Sequence, residues 1–232
     1  MSTRPGPVWL FDLDNTLHNA SHAALPGMTA AMGEYIQREL GLDKAASDAL
    51  RRRYFQRYGA TLLGLVRHHA VSAAHFLEDT HRLPGLEQRV HGHPHDLAAL
   101  RALPGRKVLL TNAPRVYTMR VLGALGLQRG FDRIVTIEDM AMFGDLRPKP
   151  DARMFRRLAR RLRVHPARCV LVEDTLVHQK SARGLHMKTV WMQRWLRIAP
   201  WGGGGAPTRL TANPGYVDRK VSNLRQLVRS HF

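Results

Sequence analysis

The stretch "VWLFDLDNTLHN", residues 8–19, constrains the fold more than any other part of the chain. Val8, Trp9, Leu10 and Phe11 are apolar without interruption, and Asp12 and Asp14 follow with only Leu13 between them. A strand that is apolar at every position, rather than at alternate ones, suits a parallel sheet covered by helices on both faces. An ionised carboxylate at the end of such a strand is costly unless it is paired or bound. Two of them there call for a cation, hydrogen-bond donors or a ligand.

The second half of the chain repeats the strand signal. "RKVLLT" (106–111), "FDRIVTI" (131–137), "CVLVED" (169–174) and "KTVWM" (188–192) alternate with helical patterns near 97–103, 115–125, 151–162 and 176–185. Such alternation predicts an α/β fold with a Rossmann-like parallel sheet. Between residue 17 and about residue 95 the pattern is helical throughout, so a helical insertion is expected directly after the first strand. The expected organisation is a core of residues 1–17 and 96–232 and a helical cap of residues 18–95. "HNASHAALPG" and "GLEQRVHGHPHD" are its polar joints, and the alternating His91, His93 and His95 read as a solvated hinge beside Gly92 and Pro94. "WGGGGAPTRLTANPG" (201–215) reads as a flexible surface loop, and "YVDRKVSNLRQLV" as a last short strand with a terminal helix.

Composition narrows the function classes. The chain has 232 residues, 44% of them hydrophobic, enough for one α/β domain with a large insertion. The single cysteine, Cys169, excludes an intramolecular disulfide and any multi-cysteine zinc site, and it points to a reducing compartment. With no apolar signal core before the first strand and no apolar run approaching about 18 residues, a cytoplasmic protein without a membrane span is expected. The formal charge of +18 suggests nucleic acid, yet the 36 basic residues include only six lysines, and the arginines are scattered over the whole chain. No aromatic-rich nucleic-acid motif accompanies them, so no specific nucleic acid is expected. In "DARMFRRLARRLRV" they read as the solvated face of an amphipathic helix. The charge does supply a field that attracts anionic substrates, phosphate esters included.

Ligands of an open parallel sheet bind beyond the carboxyl ends of the strands. Asp12 and Asp14, Thr111 and Asn112, and Glu173 and Asp174 all fall at expected strand ends, with Lys149 of "RPKPD" in a following loop. Taken singly, each has a structural explanation as a cap, a turn or a surface lysine. In this order they form the set that phosphoryl transfer requires. Asp12 and Asp174 can hold a hard divalent cation such as Mg²⁺, a carboxylate can attack phosphorus, and Lys149, Thr111 and the backbone amides after Asp12 can offset the charge.

"FDLDNTL", "LLTNAP", "RPKP" and "VEDT" resemble the four ordered motifs of the haloacid dehalogenase superfamily, and the helical insertion resembles its cap. Asn15 in place of the more usual glycine, "YGATLLGL", and "VEDTLVHQKSARGLHMKTV" make the chain similar to the pyrimidine 5′-nucleotidase branch. The resemblance implies that Asp12 is the nucleophile and Asp14 the general acid and then base. Thr111 would hold the phosphoryl group, with Asn112 beside it, and Lys149 would neutralise both Asp12 and phosphate. Asp12, Asp174 and the Asp14 carbonyl would bind Mg²⁺, and Glu173 would act through metal-bound water. His178 stands where such proteins often carry Asp or Asn. The implied substrate is a small phosphorylated metabolite, a pyrimidine nucleotide such as UMP or CMP, with Arg52, Tyr54, Tyr58 and His69 as candidate contacts to the base. A phosphomutase would use the same core residues. A dehalogenase would attack carbon and leave Asp14 without a task, and an RNA-binding or scaffolding protein on an inactive core has only the charge in its favour. Oligomeric state is not legible.

Overall fold

The computed structural model describes residues 6–195 and 214–228. Among them, eight strands form: β1 (Val8–Phe11), β2 (Arg106–Leu110), β3 (Arg133–Val135), β4 (Ala141–Met142), β5 (Asp145–Leu146), β6 (Cys169–Glu173), β7 (Lys188–Met192) and β8 (Arg219–Val221). Six of them make one sheet in the order β3-β2-β1-β6-β7-β8, and every neighbouring pair in it is parallel. β4 and β5 pair separately as a small antiparallel hairpin. Among the described residues no helix is long and apolar enough to cross a membrane.

The unbroken apolar run of β1 has the expected cause. Trp9 and Phe11 join one core with Leu109, Val172 and Met192, while Val8 and Leu10 join another with Val108, Leu110 and Leu171. The helices α1 (Ala20–Ala23), α2 (Leu25–Leu40), α3 (Lys44–Tyr58), α4 (Thr61–His69), α5 (Ala73–Thr80) and α6 (Leu86–Arg89) all lie between β1 and β2 in sequence. They are followed by α7 (Pro94–Ala102), α8 (Arg115–Ala124), α9 (Ala152–Arg161), α10 (Leu176–Arg183) and α11 (Arg225–Val228). α7, α8 and α11 cover the Trp9 face, and α9 and α10 the Leu10 face.

The helical segment after β1 divides between two cores. Tyr35, Ile36, Leu50, Tyr54, Leu62, Leu65, Phe76 and Leu77 enclose a core of their own that also takes in Ile137. Its two ends rest on the sheet instead, because Ala23, Ala24, Met28, Leu83, Leu86 and Val90 carry apolar side chains into the Trp9 core. Asn19 fastens the ends together: its N–H donates to the His91 carbonyl at 3.2 Å, its side chain accepts from the His91 N–H at 2.8 Å, and its Nδ2 donates to the Arg89 carbonyl at 3.2 Å.

Several local expectations change. The third strand is only three residues long, and a 3₁₀ turn, Ile137–Met140, follows it. The β4–β5 hairpin was not expected, since two-residue strands leave no readable pattern. His93 is an N-cap rather than part of a free hinge, accepting from the His95 N–H at 3.3 Å, and the helix begins at Pro94. Residues 201–213 of the expected glycine-rich loop lie outside the described residues. β8 and α11 supply the expected last strand and helix.

α3 and α4 pack by means of a missing side chain. A Cβ on Gly64 would stand 2.2 Å from Cγ of the buried Tyr54, so only glycine admits the tyrosine there. Gly64→Ala should therefore destabilise the protein by about 1–3 kcal/mol, the usual cost of overpacking. The measurement is the urea midpoint, which should fall at unchanged slope; an unmoved midpoint would show that the two helices separate freely.

Candidate active site

Strand register assembles the site. Phe11 stands opposite Leu109 on one side and Val172 on the other, so the residues that follow β1 leave the sheet level with the ends of β2 and β6. The Asp12 N–H still donates to the Val172 carbonyl at 3.0 Å, and the Thr111 N–H to the Val135 carbonyl at 3.0 Å. Asp12, Thr111 and Glu173 are buried. Asn15 takes φ of 56°, a left-handed conformation that asparagine tolerates, and its carboxamide exchanges two hydrogen bonds of 2.8 Å with Ser21.

Lys149 comes from the loop after β5. Its main chain is docked on the end of β2 by Asn112, whose Nδ2 donates to the Lys149 carbonyl at 2.9 Å and whose Oδ1 accepts from the Lys149 N–H at 3.0 Å. The ammonium is 1% exposed and donates to Asp12 Oδ1 at 2.6 Å and to Glu173 Oε2 at 2.7 Å. Glu173 also accepts from the Thr175 N–H at 3.2 Å, and His178 Nδ1 lies 3.0 Å from its Oε2. Asp14 is partly exposed, and its Oδ1 meets His18 Nε2 at 2.8 Å and the Tyr117 hydroxyl at 2.7 Å.

Asp12, Glu173 and Asp174 each bring a carboxylate oxygen within 4.8 Å of the others. Three carboxylates thus stand against the single ammonium of Lys149. Burial, and next the charge of Glu173, push Asp12 above the usual carboxylate range despite Lys149. Burial and the same neighbour push Asp174 well above it, with Asp12 adding to the effect. Burial opposes the charge of Glu173 too, but Lys149 and His178 outweigh it and hold this carboxyl low. Burial likewise opposes ionisation of Asp14, and the hydrogen bond and charge of His18, with the Tyr117 hydroxyl, keep it below its ordinary value. An excess of negative charge on hard oxygen donors is what a divalent cation such as Mg²⁺ satisfies. The donor set fits that ion.

Two groups of residues differ from expectation. Both ends of the Asn112 carboxamide are engaged by Lys149, so this side chain fixes the lysine loop and is not turned to phosphate. Of the four candidate base contacts, Tyr54 is buried in the helical core, where apolar neighbours claim its ring, and its hydroxyl is bonded to His69 Nε2 at 2.7 Å. Tyr58 pairs with His68 at 2.5 Å, and Arg52 is exposed on α3. The α3–α4 turn does reach the lysine loop, since a Cβ on Gly59 would lie 3.6 Å from Pro150 Cδ. His18 and Tyr117 escaped the sequence reading. The i, i+4 spacing of Asp14 and His18 was the one available signal, and Tyr117, distant in sequence, had none.

A parallel sheet that gathers carboxylates and a lysine at its carboxyl edge defines a class of α/β enzymes that bind ligands at that edge. Within it, a family model described as haloacid dehalogenase-like hydrolase matches residues 8–185, and the chain belongs to that family. Solved structures share the fold across nearly their whole length. An HAD phosphatase from Thermococcus onnurineus is 20% identical, with 95% of each chain covered and a TM-score of 0.60. CbbY from Rhodobacter sphaeroides in complex with phosphate is 19% identical, with 95% of this chain and 96% of that one covered and a TM-score of 0.62. An L-2-haloacid dehalogenase from Xanthobacter autotrophicus with chloropropionic acid covalently bound is 14% identical, with 97% of each chain covered and a TM-score of 0.56.

The charge imbalance yields a prediction that needs no substrate. Mg²⁺ at about 100 times its dissociation constant should stabilise the protein by about 2.7 kcal/mol. Asp174→Asn should remove most of that gain. Thermal or urea unfolding with and without the ion measures it, and a midpoint indifferent to Mg²⁺ would rule out a cation at these carboxylates.

Proposed function

We propose that the protein is a Mg²⁺-dependent phosphomonoesterase that works through an aspartyl-phosphate on Asp12. Haloacid dehalogenases share this fold, so fold alone does not choose between carbon and phosphorus. The observation that carries the reading is the second carboxylate. Asp14 is held by two donors two residues beyond Asp12, and an alkoxide leaving group needs an acid to protonate it, whereas a departing halide does not.

In the proposed reaction an Asp12 oxygen attacks phosphorus while the bond from phosphorus to the leaving oxygen breaks. The negative charge of the bound phosphate opposes ionisation of Asp14 and lets it take up a proton from solvent, which it then gives to that oxygen. It then takes a proton from the water that attacks the phosphoenzyme, which releases phosphate and restores Asp12. Lys149, 2.6 Å from Asp12, limits the repulsion between the two anions as they approach. Thr111 holds the phosphoryl group. Asp12, Asp174 and the Asp14 carbonyl would hold Mg²⁺, with Glu173 acting through bound water, and the charge of the ion, when bound, offsets that of the phosphoryl oxygens.

Residues 18–95 act as a cap in this reading. The approach of the Gly59 turn to Pro150 supports it, because the turn then closes one side of the lysine loop. A covered site favours small phosphorylated metabolites, and the basic charge attracts them. The resemblance to pyrimidine 5′-nucleotidases favours UMP and CMP, acted on in the cytoplasm.

The test is release of inorganic phosphate across nucleoside monophosphates, sugar phosphates and small phosphoacids. UMP and CMP should give the highest kcat/KM, and Asp12→Asn, similar in volume but unable to attack, should be inert and folded. Asp14→Asn should lose about 10²- to 10⁴-fold on nucleotides; the first-turnover release of 4-nitrophenolate from 4-nitrophenyl phosphate should lose much less, because that leaving group needs little protonation, while hydrolysis of the phosphoenzyme slows alike for both substrates. A fully active Asp12→Asn protein would end the covalent mechanism, and UMP no better than phosphoglycolate would end the nucleotidase assignment alone.

A further inference from the structure

Among the described residues, Asp14 is bound at one oxygen only. Tyr117, on α8, donates its hydroxyl proton to Oδ1 at 2.7 Å, and His18 Nε2 lies 2.8 Å from the same atom. Both partners are fully buried, and they stand 3.4 Å apart, so the three groups close a triangle. A carboxylate accepts and does not donate, so the bond from His18 is made by the ring with its proton on Nε2. The other ring nitrogen, Nδ1, is buried without a hydrogen-bond partner among the described residues. The side chain therefore spends its one useful donor on Asp14.

Each donor is braced in turn from the helical segment. The ring of His81, at the end of α5, meets the Tyr117 ring edge to face at 5.7 Å, and His81 Nδ1 is itself 3.0 Å from the Leu77 carbonyl. His18 precedes Asn19, the residue through which the chain entering the helical segment is bonded to the chain leaving it. The orientation of the Asp14 carboxylate is thereby tied to both connections of the segment.

We propose that His18 and Tyr117 are positioning residues for proton transfer: they occupy Oδ1 of Asp14, fix its side-chain torsions, and so assign the exchanged proton to Oδ2. This rests on Asp14 being the general acid and base of the proposed reaction. Oδ2 loses its proton to the leaving oxygen as that oxygen parts from phosphorus, and it regains one from the attacking water. Neither His18 nor Tyr117 touches the substrate. A misplacement of about 1 Å in a reacting group can cost as much as 10²-fold in rate, so two donors that remove Asp14's rotational freedom act on turnover rather than on binding.

The experiment compares an alkyl substrate, a nucleoside 5′-monophosphate, with 4-nitrophenyl phosphate, in full-length protein with Mg²⁺. Tyr117→Phe keeps the buried ring and removes the donor. In a single turnover it should slow phosphoenzyme formation from the nucleotide by about 10- to 100-fold, leave the affinity for the nucleotide unchanged, and leave the first-turnover release of 4-nitrophenolate nearly untouched. His18→Gln, which keeps an N–H at similar reach, should be more active than His18→Leu at matched thermal midpoints. Adding Tyr117→Phe to Asp14→Asn should cost nothing further, because the tyrosine acts only through the carboxylate. Equal losses on both substrates in the phosphorylation step, a change confined to substrate affinity, or full additivity in the double variant would overturn the positioning role. The underlying reading fails separately and first if Asp14→Asn alone turns over the nucleotide at the wild-type rate.

Discussion

The interaction on which the rest of the site depends is the buried ammonium of Lys149 between Asp12 and Glu173. It unites the end of β1, the end of β6 and a loop 137 residues from Asp12 in sequence, across contacts of 2.6 and 2.7 Å. Charges this deeply buried are tolerated only when each has a partner, and removal of one member of a buried pair typically costs about 3–5 kcal/mol. The local structure serves the pairing. Asn112 grips the lysine main chain on both sides, and Ser181 Oγ donates to the Pro150 carbonyl at 2.5 Å. Even so, one ammonium does not balance Asp12, Glu173 and Asp174, and the remaining charge is the physical reason for a cation.

Sequence made the sheet legible wherever burial leaves a continuous apolar run. β1, β2, β6 and β7 fall inside the expected stretches because both faces of the sheet are covered, which keeps Val8–Phe11, Val108–Leu110, Cys169–Val172 and Val190–Met192 apolar at every position. The same logic located the polar strand ends. β3 also lies inside its expected stretch, cut to three residues by the 3₁₀ turn that follows, whereas the hairpin after it is too short to carry a period. In the helical segment, sequence could not separate the helices that enclose their own core from those resting on the sheet, since an amphipathic face does not name its partner. The tyrosines of α3 were open to two uses, and the structure assigns Tyr54 to packing because Gly64 leaves a space of its shape.

The arginine excess also resolves into particular contacts. Arg120 binds Glu87 and the Leu83 carbonyl, joining α8 to the returning end of the helical segment. Arg183 reaches Asp218 across β7 and β8, and Arg194 pairs with the buried Asp96, whose other oxygen accepts from the Leu224 N–H at 2.7 Å. α9 differs: Arg156, Arg160 and Arg161 are exposed while Met154, Phe155 and Leu158 are buried. Part of the arginine content is therefore structural, while the net charge, which these ion pairs leave unchanged, makes a surface field that favours anions without selecting among them.

Two chemistries share this scaffold, and both begin with a carboxylate at the end of the first strand. Displacement at carbon ends when the halide leaves, for a halide is stable in water as the anion. Displacement at a phosphate monoester expels an alkoxide, which is not, and the reaction needs a proton delivered at the moment the bond breaks. A chain adapted to the second task has reason to hold a further carboxylate in one orientation, with one oxygen occupied and one directed to the leaving group. Asp14 has one oxygen occupied, and the proposed reaction uses the other; its two donors, His18 and Tyr117, are in contact with the helical segment and lie outside the sheet strands. Any movement of that segment over the sheet would reach the proton donor through His18 and Tyr117, so closure and proton delivery would be coupled by the same contacts.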